Sequence, residues 1–381
     1  MLAPLARSFR NLLLSLLFIV FNLCIGLTVQ ASTSIQQRLA SMSDEQLAAQ
    51  MILVYYTTPE FVLKHEFGGI LIMQNMLKDP DKLKHELHKL QTHSHNKVLV
   101  SIDQEGGKVN RMKRLPGWQS VASAAEMANW SNHKITRHAK KMASVLTDLG
   151  INMNLAPVLD PSHDFLGQPT FMGQENRAFG ANEKQITAKA SAYINGFKPL
   201  GMASIAKHFP GYDVQSNSDH EIAISNAPMK ALNEQVKTFS AIAPQVEGIM
   251  MSSIHFSAIN GKPAVLSPKM VAWARETMHD RLIMTDDLWG TALRKWMEKH
   301  GARSDNAQVV SLTQLAIEAG NDVLMITYPE KAILMKRNIV KWMRDDENVR
   351  IRVKAAVKRI LMTKQTMGLL DETSVPIVGW R

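Results

Sequence analysis

The sequence predicts a parallel (β/α)8 barrel, and three observations carry that prediction. Eight short apolar segments, at 51–54, 68–73, 98–102, 151–156, 202–206, 248–252, 282–285 and 322–326, alternate with stretches of helical periodicity. Several are uninterrupted apolar runs, as expected of strands buried on both faces. Polar residues gather at one end of them: Asp103, Asn154, Lys207, His208, His255 and Asp286 fall at or near C-terminal ends. That end of a barrel carries the active site, whereas chance would scatter polar residues over both ends. The 381 residues accommodate one barrel, which takes roughly 250 residues or more, together with an N-terminal leader. An open doubly wound sheet is the alternative, but no Gly-x-Gly-x-x-Gly follows a first strand.

The elements follow in order. Ser43-Asp44-Glu45-Gln46 has the spacing of a capping box and opens a helix ahead of the first strand. A short helix at 60–66 leads to the second strand. Leu83, Leu87 and Leu90 make 82–93 an amphipathic surface helix. The third strand runs into Asp103-Gln104-Glu105-Gly106-Gly107, where the glycines predict a tight turn; no Lys-Ser/Thr follows to make a phosphate loop. A helix at 138–149 stops at Gly150, the left-handed position after a helix end. The fourth strand leads to Pro157 and Asp160, and a helix at 183–200 precedes the fifth. A last helix at 351–361 puts Val353, Val357 and Ile360 on one face. His85, His88, His93 and His95 fit no zinc spacing and are expected on exposed helix and loop positions.

The N-terminus has a different character. Arg7 and Arg10 precede a largely apolar run at 12–27, and Val29-Gln30-Ala31 precedes Ser32. A charged region, an apolar region and a small residue at the cut predict a Sec signal peptide over 1–31, leaving a single barrel domain at 32–381. The alternative is an uncleaved inner-membrane anchor, although the run is shorter than the roughly 20 residues of a spanning helix. The mature chain is therefore expected in the periplasm. Cys24, the only cysteine, falls in the leader, so disulfides and cysteine-bound zinc are not expected in the mature chain. A net charge of +10 suits solubility or attraction to an anionic polymer such as cell-wall glycan. No compact Lys/Arg run with interleaved aromatics supports nucleic-acid binding.

The chemistry concentrates after the fifth strand. Lys207-His208-Phe209-Pro210-Gly211 ends an apolar run with two polar groups and a chain reversal. A mostly polar loop then continues through Tyr212 and Asp213 to Ser218-Asp219-His220-Glu221. His220 is a candidate general acid/base because imidazole titrates near neutrality, with Asp219 beside it to orient it; the bland alternative is a solvated loop histidine. Asp286 lies just past a buried strand, where a carboxylate serves as nucleophile, metal ligand or helix cap, and Asp287 is read as the structural member of the pair. Lys207, His208, Asp103 and Arg177 suit hydroxyl or acetamide recognition, or ion pairs closing the barrel end.

Several stretches, in this order, resemble the family-3 glycoside hydrolases, and within them the single-domain bacterial β-N-acetylglucosaminidases of cell-wall recycling. They are Ser101-Ile102-Asp103-Gln104-Glu105-Gly106-Gly107-Lys108-Val109, Asn154-Leu155-Ala156-Pro157-Val158-Leu159-Asp160 and Asn176-Arg177-Ala178-Phe179-Gly180. Lys207-His208-Phe209-Pro210-Gly211, Thr285-Asp286-Asp287-Leu288 and Ala319-Gly320-Asn321-Asp322 complete the set, which spans about 40 to 370. The resemblance implies a retaining exo-β-N-acetylglucosaminidase (a β-N-acetylhexosaminidase) acting on peptidoglycan-derived glycans. It implies Asp286 as the nucleophile, His220 as the acid/base on a mobile loop, and Asp103, Arg177, Lys207 and His208 as sugar ligands. No cofactor or metal is expected; the substrate is a small glycan or muropeptide, and the protein is expected to be a monomer.

The loop departs from the family pattern, which reads Pro-Gly-His-Gly and later Asp-Ser-His. Here Tyr212 and Asp213 replace the first His-Gly, Ser218 stands where the orienting Asp is expected, and Asp219 where the Ser is. Either the backbone adjusts to pair Asp219 with His220 or the dyad is weakened. Two alternatives follow from this: a barrel that binds glycan without cleaving it, and a β-glycosidase or phosphorylase, since imidazole does not repel phosphate.

Overall fold

The computed structural model describes residues 34–259 and 261–370. The leader at 1–31 lies outside the described residues. Eight strands lie side by side in parallel: β1 (Ile52–Tyr55), β2 (Gly69–Ile72), β3 (Leu99–Ile102), β4 (Met153–Asn154), β5 (Ala203–Phe209), β6 (Gly248–Met251), β7 (Leu282–Met284) and β8 (Leu324–Ile326). Each pairs with the next in sequence, and β8 pairs back onto β1 with Leu324 opposite Ile52. A parallel bridge between Met284 and Val323 joins β7 to the start of β8, which closes the ring. Closure removes every free strand edge. The strand interiors read apolar because both faces are covered: Ile52, Ile70, Val100, Ile205, Ile249 and Ile283 are fully buried.

The helices form the outer layer: α1 (Asp44–Gln50), α2 (Pro59–His65), α3 (Pro80–His93), α4 (Asn132–Asp148), α5 (Glu183–Phe197), α6 (Met229–Ile242), α7 (Pro268–Met278), α8 (Thr291–Lys299), α9 (Asp305–Ala319), α10 (Pro329–Asp345) and α11 (Glu347–Thr366). Ser43 and Gln46 complete the expected capping box of α1, each side chain satisfying a free amide at the other residue. Leu83, Leu87 and Leu90 are the buried stripe of α3, and the histidines on and after it are exposed. Gly150 follows α4 with a φ of 90°, the left-handed conformation that favours glycine. Gly106 and Gly107 also turn with positive φ, and a Cβ on Gly106 would lie 2.1 Å from the Ala122 carbonyl oxygen. No helix of the described residues is long and apolar enough to cross a membrane.

Three strands differ from their expected extents. β4 pairs only through Met153 and Asn154, because the cis Ala156–Pro157 segment turns across to β5 instead. The Lys207 N–H donates to Pro157 O at 3.0 Å and the Leu159 N–H donates to Lys207 O at 2.6 Å. This pairing extends β5 to Phe209, so Lys207 and His208 lie within the strand, not after it. β6 ends at Met251; His255 lies beyond it, in a two-residue strand His255–Phe256 paired with Ile224–Ser225 above the barrel mouth.

Candidate active site

A small cleft of about 150 Å³ opens at the C-terminal ends of the strands. Asp103, Arg111, Arg177, Lys207, His208, Asp219 and Asp286 line it with Phe171, Tyr212 and Met250. Larger hollows exist, one of about 480 Å³ between α1, α2 and 93–98, but Asp103, Arg177, Lys207, His208 and Asp286 line none of them. No group of three His, Cys, Asp or Glu side chains among the described residues could hold a metal ion.

One wall of the cleft is an ion-pair network. Lys207 Nζ, buried at 2% exposure, donates to Asp103 and to Glu105 Oε1, the latter at 2.7 Å. Arg177 grips Glu105 with two bonds, Nε to Oε2 at 2.8 Å and Nη2 to Oε1 at 2.9 Å. Arg111 Nη2 reaches Asp103 Oδ2 at 3.3 Å, and its buried Nε has no hydrogen-bond partner among the described residues. Burial by itself would raise both carboxyl pKa values, but Arg177 and Lys207 hold Glu105 down to about 2, and Lys207 with Arg111 and Arg177 holds Asp103 well below the usual carboxylate range. Burial would likewise lower Lys207, and the two carboxylates outweigh it and raise it. Two carboxylates thus offset two of the three cations of the wall, which leaves donors and acceptors for a polar ligand.

His208 is held by Asp160, a fully buried residue. The His208 Nδ1–H donates to Asp160 Oδ2 at 2.7 Å, while the amides of His208 and Tyr212 donate to Oδ1 at 3.0 and 2.8 Å. The carboxylate therefore fixes the ring and the start of the loop together.

Asp286 and Asp287 differ in their partners. Asp287 accepts from the Trp289 amide at 3.0 Å and from the Thr327 amide and hydroxyl at 3.3 and 2.7 Å, so its oxygens are occupied by structure. Among the described residues Asp286 receives only the Asp287 amide, at 2.8 Å, and it lines the cleft. Enclosure raises its pKa; attraction to His208 opposes this, and the charge of Asp219 adds to it.

The loop after β5 carries Asp219 into the cleft with Asn217 and Ser218. His220 does not line the cleft, and both it and Asp219 are exposed. Of the two alternatives for this dyad, a pairing of Asp219 with His220 or a weakened dyad, the structure shows no hydrogen bond or ion pair between the two among the described residues. They are successive residues of a turn whose backbone is held from both sides. The Ala292 amide donates to Ser218 O at 3.1 Å, and Lys295 Nζ donates to His220 O at 2.9 Å. The structure thus brings Asp103, Arg177, Lys207, His208, Asp219 and Asp286 together and leaves His220 outside.

Four contributors escaped the sequence reading as site residues: Glu105, Asp160, Arg111 and Tyr212. Glu105 carried a signal, since it stands two residues after Asp103 at a strand end, where alternation returns a side chain to the same side. The other three depend on contacts between distant segments.

Comparison with known proteins places this geometry in a family. The glycosyl hydrolase family 3 N-terminal domain matches residues 42–363. A β-hexosaminidase of Methylococcus capsulatus is 28% identical over 287 residues, covering 70% of this chain and 77% of the relative. A β-hexosaminidase of Psychromonas ingrahamii is 28% identical over 278 residues, covering 69% and 77%. The structure of a family-3 β-N-acetylglucosaminidase from Paenibacillus superposes with a TM-score of 0.76 at 24% identity, over 88% of this chain and 65% of that longer one. A β-N-acetylhexosaminidase from Beutenbergia cavernae gives 0.72 at 24%, over 86% and 99%. A barrel whose mouth holds this set of charged groups, and whose residues 42–363 match this domain, belongs to glycosyl hydrolase family 3.

Proposed function

We propose that this family-3 glycoside hydrolase is a retaining exo-β-N-acetylhexosaminidase that removes terminal β-linked N-acetylglucosamine from peptidoglycan-derived glycans. The observation that carries the reading is the placement of Asp286: a carboxylate whose one hydrogen bond among the described residues comes from the Asp287 amide, facing a wall of paired hydroxyl-binding groups. Hydrolysis with retention needs a carboxylate beside the anomeric carbon and a proton donor at the leaving oxygen. Asp286 attacks that carbon, the leaving oxygen takes a proton supplied by the loop after β5, and water then releases the sugar. Asp103, Lys207, Arg177 and His208 hold the terminal ring. The small cleft favours a chain end over an internal unit, and relatives bearing the name β-hexosaminidase support the N-acetyl preference. The net charge of +10 suits an anionic wall glycan, and the leader suits export to the periplasm, where a monomer would meet such fragments.

The test is turnover of 4-nitrophenyl N-acetyl-β-glucosaminide by the purified protein and by Asp286→Asn. The variant is expected to lose about 10³-fold or more in kcat, and a 5-fluoro glycosyl substrate should leave its mass on the peptide containing Asp286. Wild-type rates in Asp286→Asn would refute the assignment. Product analysis with and without phosphate separates hydrolysis from phosphorolysis.

A further inference from the structure

We propose that the exposed face of α11, with the hollow beside it, is a docking surface for an anionic phospholipid bilayer. It lies at the N-terminal ends of the strands, the end opposite the cleft, so it stands whether or not Asp286 is the nucleophile. From 348 to 370 the chain carries Arg350, Arg352, Lys354, Lys358, Arg359 and Lys364 and no acidic residue. The fold lays most of this stretch, as α11, across the base of the barrel. Lys364 holds the carbonyls of Asn96 and Lys97 ahead of β3, and Arg359 holds Asp322 ahead of β8.

The inward stripe of α11 is spent on the core, with Val353, Val357, Ile360 and Leu361 buried. Outward, helical spacing aligns Ile351, Lys358 and Met362 on one line with Lys354 beside it. Ile351 is 57% exposed and Met362 39%, so two large apolar side chains stand in water among cations. Lys354 and Lys358 make no ion pair or hydrogen bond among the described residues. Arg352 donates to the Glu318 carbonyl at 2.8 Å, while the Glu318 carboxylate accepts from Gln314 at 2.9 Å. Beside this line lies a hollow of about 330 Å³ between α7, α9 and α11, lined by Arg275, Arg352 and Arg359 and by Val271, Ile317 and Ile351. Arg275 and Arg359 share one carboxylate, that of Asp322, so the arginines of the hollow outnumber their anions.

Cations alone would suit any polyanion. Cations set among exposed apolar side chains match a layer of anionic head groups over acyl chains. The path of the chain favours the same occupant. A helical stretch at 34–41 buries Ile35 and Leu39, and its Arg38 Nη1 donates to Asn96 Oδ1 at 3.2 Å. Asn96 is the residue whose carbonyl also takes Lys364, so the chain enters the fold beside the end of α11. Only 28–33 separate that stretch from the apolar run at 12–27, a reach of at most roughly 25 Å. A leader kept in a bilayer would therefore bring this face to the lipid, and a chain without it would bind peripherally. Docked on its base, the barrel turns its cleft away from the membrane, towards soluble glycan.

The experiment sediments the full chain with vesicles of phosphatidylcholine and with vesicles of equal parts phosphatidylcholine and phosphatidylglycerol. Any insertion of the leader contributes to both, so the ratio of the two partition coefficients isolates the charge contribution. The wild-type ratio should exceed one and collapse towards one at high salt, as exposed charges are screened. Lys354→Gln/Lys358→Gln should lower the ratio about 25-fold, at about fivefold per cation. Lys140→Gln/Lys141→Gln on α4 makes the same change in net charge away from this face and should move the ratio by less than about twofold. Ile351→Ser/Met362→Ser should lower partition into the anionic vesicles about tenfold and leave capture by soluble poly-glutamate unchanged. A wild-type ratio of one, a ratio that survives high salt, or equal losses in the α11 and α4 lysine pairs overturns the proposal. Serine variants that bind the anionic vesicles as wild type does, with poly-glutamate captured through the α11 lysines, would identify a polyanion surface and overturn it too. Melting temperatures verify that each variant is folded, and the salt dependence of the wild type tests the proposal without any variant.

Discussion

Thr327 and the Trp289 amide take up both oxygens of Asp287, which leaves its neighbour Asp286 as the free carboxylate at the end of β7. Asp286 is held at a cost to the fold. Its pKa is raised by enclosure, so the folded chain binds its proton more tightly than the unfolded chain does. Stability therefore falls as pH rises from the ordinary aspartate value through the raised one. Asp286→Asn is expected to raise the melting temperature by about 2 °C near pH 7, with the gain narrowing towards about pH 4; thermal scans of both proteins at each pH check this. Glu105 has the opposite sign. It is held down to about 2 by Arg177 and Lys207 against the effect of burial, so it stabilises the fold above the ordinary glutamate value and loses that contribution as pH falls towards about 2. Glu105→Gln leaves two buried cations short of an anion and should cost about 3–5 kcal/mol in denaturant unfolding at pH 7.

The loop after β5 works as one element because Tyr212 spans it. A single hydroxyl satisfies the Ser216 carbonyl and the Ser218 amide, and the ring rests against Phe171 with centroids 5.8 Å apart. Tyr212→Phe keeps the ring and removes the bridge. It is expected to lower kcat about tenfold, since two lost hydrogen bonds of about 0.7 kcal/mol each together correspond to that factor in loop population. The melting temperature should stay within about 3 °C, because the global core is untouched. Faster amide exchange at Ser218 is the accompanying sign; an unchanged exchange rate with reduced kcat would remove the hydroxyl from this role. Little of this was legible in the sequence. The motif Lys207-His208 was visible, but the ring of contacts from Asp160, Ala292 and Lys295 joins segments far apart in the chain.

The barrel as a whole is closed by charged side chains buried at its N-terminal end. Asp322, fully buried just before β8, accepts from Arg275 at 2.5 Å, from Arg359 at 2.8 Å and from the Ile283 amide at 2.9 Å, which ties α7, α11 and β7 together. Lys364 on α11 donates to Gln50 Oε1 at 2.7 Å and to the carbonyls of Asn96 and Lys97 at 3.1 and 2.7 Å. The last helix is thereby fastened to the end of α1 and to the approach to β3. Burial, with Arg38 nearby, lowers the Lys364 pKa to about 7. Between that value and the ordinary lysine value the unfolded chain binds the extra proton, so stability rises with pH across this window. Lys364→Met removes that slope and orphans three buried acceptors, at an expected cost of about 2–4 kcal/mol. Denaturant unfolding at pH 7 and pH 9 measures both effects.

The chain order of strands and helices, the parallel barrel and the end at which polar groups collect were all determined by local sequence. Apolar runs, caps and glycine stops act over a few residues, as at Ser43, Leu83 and Gly150. The same local reading separated Asp286 from Asp287. Tertiary structure alone decided that β5 runs on through Lys207 and His208, because the Pro157–Leu159 segment supplies the missing backbone partners. It also decided that Asp219 faces the cleft and His220 does not. The direction of a side chain in a turn is set by whatever anchors its backbone, and here those anchors lie on a different helix, some seventy-five residues away.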